Sequence, residues 1–167
     1  MIPSNSSILV ATDLSASSFN TLKYALSCIR DNDSQIHILH VTEPMSDDAK
    51  ITLMMFMQDK EQRKGAIDQR SELMGQEFMN KLDAFWASQP AETQALRGRV
   101  ISTDIKEGFP AEVILQHAKK RECDLIMLGA HEQAISHSFL GTVAKRVLRR
   151  AEVPTMVVPY RRPKVAP

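Results

Sequence analysis

Five short apolar runs divide the chain, and longer segments with helical spacing lie between them. The runs occupy positions 8–11, 36–41, 98–102, 125–128 and 155–158 and are rich in Ile, Val, Leu and Met. Most of them lack the polar alternation of a half-exposed strand, which is typical of strands buried on both faces of a sheet. Each run therefore predicts one short, buried strand.

The intervals between these runs carry apolar residues at helical spacing. Phe19, Leu22, Leu26 and Ile29 form one such stripe, and comparable stripes predict helices over about 59–88, from Pro110 onward and from about 140. Strands that alternate with helices favour a parallel sheet with helices on both faces. The pattern thus predicts an α/β fold with a single, open, five-stranded parallel sheet of Rossmann-like plan.

Segment 45–60 fits this alternation least well. It places apolar residues between the second predicted strand and the long helix, among them Met54, Met55 and Phe56. One interpretation is additional cover for the core, and the other is a lid or an oligomer surface, because methionine-rich surfaces adapt to partners. On sequence alone we favour core cover.

Composition restricts the class of protein. The chain has 167 residues, of which 43% are hydrophobic and 25% charged, as in an ordinary single globular domain. Cys28 and Cys123 lie outside any CxxC pair, so neither a disulfide framework nor a zinc ribbon is predicted. We predict an extension over 1–7, a domain over 8–159, a disordered basic tail over 160–167 and a cytoplasmic location, with no signal peptide and no membrane association.

The formal net charge of +1 conceals an uneven distribution. Seven basic residues and one acidic residue, Glu152, fall within 145–167, which gives this segment +6 and the remainder −5. An anionic partner is one interpretation, and a solvated helix face is the other, which we favour. Few aromatic residues accompany these cations, so single-stranded nucleic acid is not an expected partner.

Candidate ligand-binding residues follow the predicted strands. In open α/β sheets, ligands bind beyond the carboxyl ends of the strands, where the strand order reverses. Thr12 and Asp13 follow the first strand, and a loop that begins at Gly129 and ends at Gly141 follows the fourth. Thr142 then opens a helix, whose N-terminal N–H groups favour phosphate. A strand-end turn and a simple N-cap would explain the same residues, and spacing alone favours that explanation.

Four stretches together resemble the universal stress protein family. They are ILVATDLSASSFNTLKYAL, IHILHVTEP, EGFPAEVILQHAKKRECDLIMLGAH and FLGTVAKRVLRRAEVPTMVVP, and they cover most of residues 8–159 in the expected order. The resemblance implies the strand order 3-2-1-4-5 and a homodimer that forms through the last strand, Thr155, Met156, Val157 and Val158. For one branch of the family it also implies ATP, with Mg²⁺ only as the counter-ion of the nucleotide.

The ATP-binding branch carries a Gly-x2-Gly-x9-Gly-Ser/Thr motif. By this resemblance, Gly129 is the first glycine and Gly141-Thr142 the last pair, whereas Glu132 replaces the middle glycine and the loop is one residue short. Asp13 matches the acid at the nucleoside and Val41 the position at the adenine. The remaining cofactor-binding residues that we predict on this basis are Ala11, Thr12, Leu128, His131 and Val143.

These features predict a dimeric, adenine-nucleotide-binding stress-response protein that acts through an unidentified protein partner. Efficient catalysis is not predicted, because the P-loop and GxSxG signatures are absent. The alternative within the same family is a dimeric interaction module that binds no nucleotide. A receiver domain with Asp13 and Asp104 as its acidic residues, and a metal site formed by His131, Glu132 and His137, are weaker alternatives.

Overall fold

The computed structural model describes residues 2–130 and 140–159. Strands and helices alternate along the chain, apart from two consecutive helices after the second strand and a short helical passage before the third. In chain order the elements are β1 (Ser7–Thr12), α1 (Ala16–Cys28), β2 (Gln35–Thr42), α2 (Asp47–Phe56), α3 (Lys60–Ala87), α4 (Ala91–Gln94), a 3₁₀ helix (Ala95–Arg99), β3 (Val100–Glu107), α5 (Pro110–Lys120), β4 (Leu125–Gly129), α6 (Thr142–Arg150) and β5 (Thr155–Val158).

The five strands form one parallel sheet in the order β3-β2-β1-β4-β5. This result confirms the predicted α/β class and strand order. β1 is the central strand and pairs with β2 along its whole length, from Ser7 opposite Gln35 to Thr12 opposite His40. Its side chains are almost fully buried, as expected for a strand with helices on both faces.

Each face of the sheet has its own hydrophobic core. On one face, α1 and α3 pack against alternate strand residues, with Phe78 fully buried at the centre. On the other face, α5 and α6 pack through residues such as Ile114 and Val147. No helix within residues 2–130 and 140–159 is long and apolar enough to cross a membrane.

The sequence prediction for the third strand is wrong at both ends. It placed the strand at 98–102, whereas residues 98 and 99 end a 3₁₀ helix and β3 extends from Val100 to Glu107. β3 is an edge strand of the sheet, and its second half, Thr103 to Glu107, is mostly polar. Edge strands tolerate such residues because one side of the strand remains accessible to water.

The preferred interpretation of segment 45–60 as core cover is also wrong. Most of its apolar residues lie in α2, and α2 has no buried residue in the chain as described. Met55 and Phe56 are 74% and 85% exposed. The apolar character of this segment therefore belongs to a surface of the protein.

Candidate functional site

A cavity of about 430 Å³ opens at the carboxyl end of the sheet, within the range of roughly 300–1,000 Å³ that is usual for ligand sites. β1 and β4 are neighbours here, and their pairing ends at Val10 and Met127. β1 connects towards β2 and β4 towards β5, so the cavity lies where the strand order reverses. This is the place at which open α/β sheets bind ligands.

Nine of the ten predicted site residues line this cavity. They are Ala11, Thr12, Asp13, Val41, Leu128, Gly129, Gly141, Thr142 and Val143. The tenth, His131, lies outside the described residues, as do Glu132, His137 and the C-terminal tail 160–167. The structure thus brings together loops that are far apart in the sequence.

Eight further residues line the cavity and were not among the ten predicted site residues, although Ser15 and Glu43 lie in the loops after the first two strands, where the sequence predicts a ligand. They are Ser15, Ser17, Ser18, Leu39, Glu43, Pro110, Ile114 and Ala144. Most of them belong to the first turns of helices or to the buried faces of strands. Ser15, Ser17 and Ser18 could have been found from their position directly after Asp13. Leu39 and Ile114 look like any core residue in the sequence, because nothing local distinguishes a cavity floor from a packed interior.

A network of hydrogen bonds fixes the loop after β1. The hydroxyl of Thr12 lies 2.8 Å from that of Ser18 and accepts the N–H of Leu14 at 3.0 Å, while the N–H of Ser15 donates to Asp13 Oδ1 at 3.0 Å. Leu14 has a φ of 64°, a left-handed conformation that costs a bulky residue about 1–3 kcal/mol. The network holds the backbone in this strained turn and keeps Asp13 at the cavity.

Three helices begin at the cavity, and α5 and α6 have no side-chain cap at their N-termini. In α1, Ser15 is the N-cap and its side chain accepts the N–H of Ser18 at 3.2 Å. α5 begins with Pro110, which has no N–H. α6 begins after Gly141, which has no side chain with which to cap, and its first turn carries no acidic residue. The start of α6 is therefore the best anion-binding position at this cavity.

Gly129 permits close contact between β4 and α1. The hydroxyl of Ser17 donates to the carbonyl of Ala130 at 2.6 Å. A Cβ at position 129 would lie 2.9 Å from Ser17 Oγ, closer than real Cβ atoms approach, and 3.2 Å from the carbonyl oxygen of Ser17, which is tighter than most Cβ contacts. Packing alone thus favours glycine at this position, whether or not a ligand is bound.

The lining combines three chemical environments. Leu39, Ile114 and Leu128 are almost fully buried and form an apolar floor. Asp13 and Glu43 supply carboxylate acceptors, and the start of α6 supplies N–H donors. Such a cavity suits a ligand with a flat apolar part, hydroxyl groups and an anionic group. Within the part of the chain that the structure describes, no group of three His, Cys, Asp or Glu side chains is placed to hold a metal ion.

A second polar cluster lies on the face of the sheet that α5 covers. Asp104 Oδ2 accepts from Ser102 Oγ and from Arg121 Nη2, both at 3.0 Å, and lies 3.2 Å from Nε2 of His117. That His117 contact has the length of an ion pair but not the alignment of a hydrogen bond. His37 Nδ1 lies 2.7 Å from Ser102 Oγ, and it must be the donor, because the hydroxyl hydrogen of Ser102 points to Asp104.

This cluster weakens the receiver-domain alternative. Asp104 lies within β3 and does not follow it, and it is not among the residues that line the cavity. Burial raises the pKa of Asp104, but the hydrogen bond from Ser102 and the charge of Arg121 outweigh burial and leave the pKa below its ordinary value. Burial lowers the pKa of His37 and of His117. Asp104 is thus an ion-paired structural carboxylate.

Comparison with known proteins gives a consistent result. The model of the universal stress protein family matches residues 5–159. Universal stress protein MJ0531 of Methanocaldococcus jannaschii is 28% identical over 155 residues, which cover 90% of this chain and 80% of that protein.

Solved structures share the fold at low sequence identity. The hypothetical protein MJ0577 superposes with a TM-score of 0.68 at 20% identity, and the match covers 96% of this chain and all of the other. A universal stress protein in complex with cAMP gives 0.54 at 17% identity, over 94% and 98% of the two chains. A family protein from Arabidopsis thaliana with AMP bound gives 0.53 at 20% identity, over 95% and 93%. Together with the family match over nearly all of the described sequence, this shows that the chain belongs to the universal stress protein family.

Proposed function

We propose that this protein binds an adenine nucleotide at the carboxyl end of its sheet and acts as a dimeric stress-response regulator without efficient turnover. The observation that carries the proposal is the glycine-capped start of α6 at the rim of a cavity with an apolar floor. Backbone N–H groups at such a helix start hold phosphate oxygens. The base would lie towards Val41 and Leu39, and the ribose hydroxyls towards Asp13.

Two related proteins support the ligand class. One universal stress protein has been solved with cAMP and another with AMP, and both share the fold of this chain. We propose ATP as the ligand here, with Mg²⁺ only as its counter-ion. Glu132 stands where the ATP-binding motif has its middle glycine, and a carboxylate near a polyphosphate opposes binding by like charge. ATP should therefore be compared directly with AMP and cAMP.

The direct test is titration of the purified chain with each nucleotide, followed by calorimetry and by thermal shift. A ligand at a hundred times its Kd should add about 2.7 kcal/mol to the free energy of unfolding. Gly141→Val should abolish the response, because Gly141 has an extended backbone that accepts any residue (φ −64°, ψ 161°) and the new side chain would fill the anion position. Gly98→Val is the matched control, since a Cβ there meets nothing within 4 Å.

Several outcomes would decide the ligand. If Glu132→Gly strengthens the binding of ATP more than the binding of AMP, the outer phosphates of ATP lie at the loop after β4. Binding of AMP or cAMP alone would keep the adenine site and reject ATP. No binding of any of the three at millimolar concentration would reject the proposal and leave the non-nucleotide interaction module as the function.

Slow or absent turnover is the second part of the proposal. Hydrolysis by P-loop proteins depends on a Gly-x4-Gly-Lys-Ser/Thr loop, and this sequence has none. The wild-type chain should release phosphate from ATP no faster than the Gly141→Val variant does. Release that requires Gly141 and repeats over many turnovers would show an ATPase.

The proposed homodimer forms through β5, an edge of the sheet. The carbonyls of Pro154 and Val158 accept N–H groups from β4, so the alternation of a parallel ladder directs the N–H and C=O of Thr155 and Val157 towards the open edge. An unpaired edge of this kind can add a strand from a second chain.

Val157→Pro tests this dimer, because proline removes one outward N–H and leaves the ladder to β4 intact. Light scattering should show that the substitution halves the molar mass. A wild-type chain with the same mass as Val157→Pro would reject dimerisation through β5.

A further inference from the structure

His117 carries a ring nitrogen that is buried without a hydrogen bond. The residue is 6% exposed, and its Nε2 has no hydrogen-bond partner among the residues that the structure describes. Asp104 Oδ2 lies 3.2 Å from this nitrogen, but that oxygen already accepts from Ser102 and from Arg121. Buried polar atoms in native proteins are nearly always paired, so this nitrogen calls for an explanation.

The charges around this ring are unbalanced. Arg121 and Lys106 act on His117 as positive charges, and Asp104 is the carboxylate that opposes them. His37, on β2, is a further titratable neighbour. Burial lowers the pKa of His117, and the attraction of Asp104 offsets it only in part, because Arg121 and Lys106 lower the pKa as well. The folded chain therefore keeps this ring neutral over part of the pH range in which an exposed histidine is protonated.

The ring and the floor of the cavity belong to the same packed face. Ile114 lines the cavity and lies one turn before His117 on the buried face of α5. The cluster also adjoins the floor through the sheet, because Leu39, which lines the cavity, lies opposite Asp104 in the register of β2 and β3. A displacement of the last turns of α5 would therefore change the floor.

We propose that His117 makes this cavity acid-sensitive: protonation of the buried ring displaces the last turns of α5 from the sheet and weakens ligand binding. A protonated ring is buried beside Arg121, and the Asp104 oxygen that faces it already accepts two hydrogen bonds. Burial of an incompletely paired charge is costly, and a shift of α5 relieves it by bringing the ring to water. Ile114 moves with the helix. The displacement is independent of any ligand, whereas its effect on binding rests on the proposed function.

The first test needs no ligand. NMR spectroscopy follows the titration of the His117 ring, and amide hydrogen exchange follows α5 in the same samples of the full-length chain. Protection of the α5 amides, relative to their intrinsic exchange rates, should fall with the midpoint of the ring titration. The amides of α1, on the other face of the sheet, should keep their protection. A ring that stays neutral until the whole chain unfolds, or α5 amides that stay protected once the ring is charged, would overturn the proposal.

His117→Gln should remove this acid response, because the glutamine amide occupies the place of Nε2 and takes up no proton. His37→Asn is the matched control. Its amide nitrogen replaces Nδ1 as the donor to Ser102, and it leaves His117 in place, so the loss of protection should remain. Loss of the response in His37→Asn, or its persistence in His117→Gln, would reject the assignment to His117.

Arg121→Gln is a second variant that retains the histidine. The Arg121 side chain is 39% exposed, so this substitution is a mild one for the fold. Removal of the guanidinium should raise the pKa of His117, and both the ring titration and the loss of protection in α5 should then move to higher pH. An unchanged midpoint in this variant would contradict the proposed mechanism.

Ligand binding tests the coupling to the cavity. cAMP is a suitable probe, because its phosphodiester has no second proton to gain, whereas a terminal phosphate does so at about pH 6. The Kd for cAMP should rise below the midpoint of the ring by up to about tenfold per pH unit, the limit for one linked proton, and should stay constant in His117→Gln. With AMP or ATP, comparison with His117→Gln cancels the titration of the phosphate itself. An equal rise of Kd in both chains would reject the coupling. If no nucleotide binds at any pH, the proposed function fails, and the exchange experiment still decides the acid response of α5.

Discussion

Gly129→Ala provides the sharpest test of how the candidate site is held together. The added Cβ would lie 2.9 Å from Ser17 Oγ, 3.1 Å from Thr21 Oγ1 and 3.2 Å from the Ser17 carbonyl oxygen. Ser17 could relieve the first contact by rotating its hydroxyl, but it would then lose the 2.6 Å hydrogen bond to Ala130. The other two contacts involve a buried side chain and the backbone of α1, so α1 must shift.

Both consequences can be given a magnitude. Overpacking of a close contact costs about 1–3 kcal/mol, and loss of a hydrogen bond costs about 1 kcal/mol. We expect Gly129→Ala to lower the free energy of unfolding by about 2–4 kcal/mol. For a chain of this length that corresponds to a fall in Tm of roughly 5–15 °C. Urea unfolding and calorimetry would measure both quantities.

A double-mutant cycle with Ser17→Ala tests the mechanism. Ser17→Ala removes the closest atom, after which the nearest contacts of the new Cβ are 3.1 and 3.2 Å. The two substitutions should therefore be less than additive, by at least about 1 kcal/mol. Gly98→Ala is the control and should change stability by less than about 0.5 kcal/mol. A Gly129→Ala chain as stable as this control, or strict additivity with Ser17→Ala, would refute the reasoning.

Three further predictions concern stability. Burial lowers the pKa values of His37 and His117 below the ordinary 6.5, so the folded chain binds fewer protons than the unfolded chain below that pH. The free energy of unfolding should fall as the pH drops below about 6.5. If urea unfolding of His117→Gln shows the same dependence of this free energy on pH as the wild type, the assignment to His117 is wrong. Gly108→Ala should lower Tm, because Gly108 has a φ of 153° and a Cβ there would lie 2.6 Å from Val113; an unchanged Tm would count against it. Phe78→Ala should cost about 3–5 kcal/mol, since Phe78 is fully buried, and a loss below 1 kcal/mol in urea unfolding would show that the core closes around the gap.

The fold was largely predictable because its strands are buried on both faces. Runs such as 8–11 and 125–128 contain almost no polar residue, and this pattern has few explanations other than the interior of a parallel sheet. Prediction failed where a strand lies at an edge. The second half of β3 carries Asp104, Lys106 and Glu107, and Asp104 pairs with a residue from another part of the fold, Arg121 at the end of α5. The pattern of apolar and polar residues along one segment does not indicate contacts with residues that are distant in the sequence.

The candidate site was predictable where it follows strands, and not where it depends on packing between helices. Asp13 and Gly141 were found from their positions in the loops. Pro110 and Ile114 were not, because they reach the cavity only through the way α5 crosses the sheet. The exposure of α2 was missed for a similar reason. An apolar helix looks the same in the sequence whether it covers its own core or a partner.

The two glycines that this chain shares with the ATP-binding motif differ in how strongly they indicate a nucleotide site. Gly129 is explained by the close contact of β4 with α1, which exists without any ligand. The backbone of Gly141 does not require glycine, since its φ of −64° and ψ of 161° suit any residue, and Ser, Thr or Asp would cap α6 better. A glycine at that position leaves the first N–H groups of α6 available to an anion. The case for a nucleotide in this chain therefore rests on the start of α6 much more than on the count of glycines in the loop.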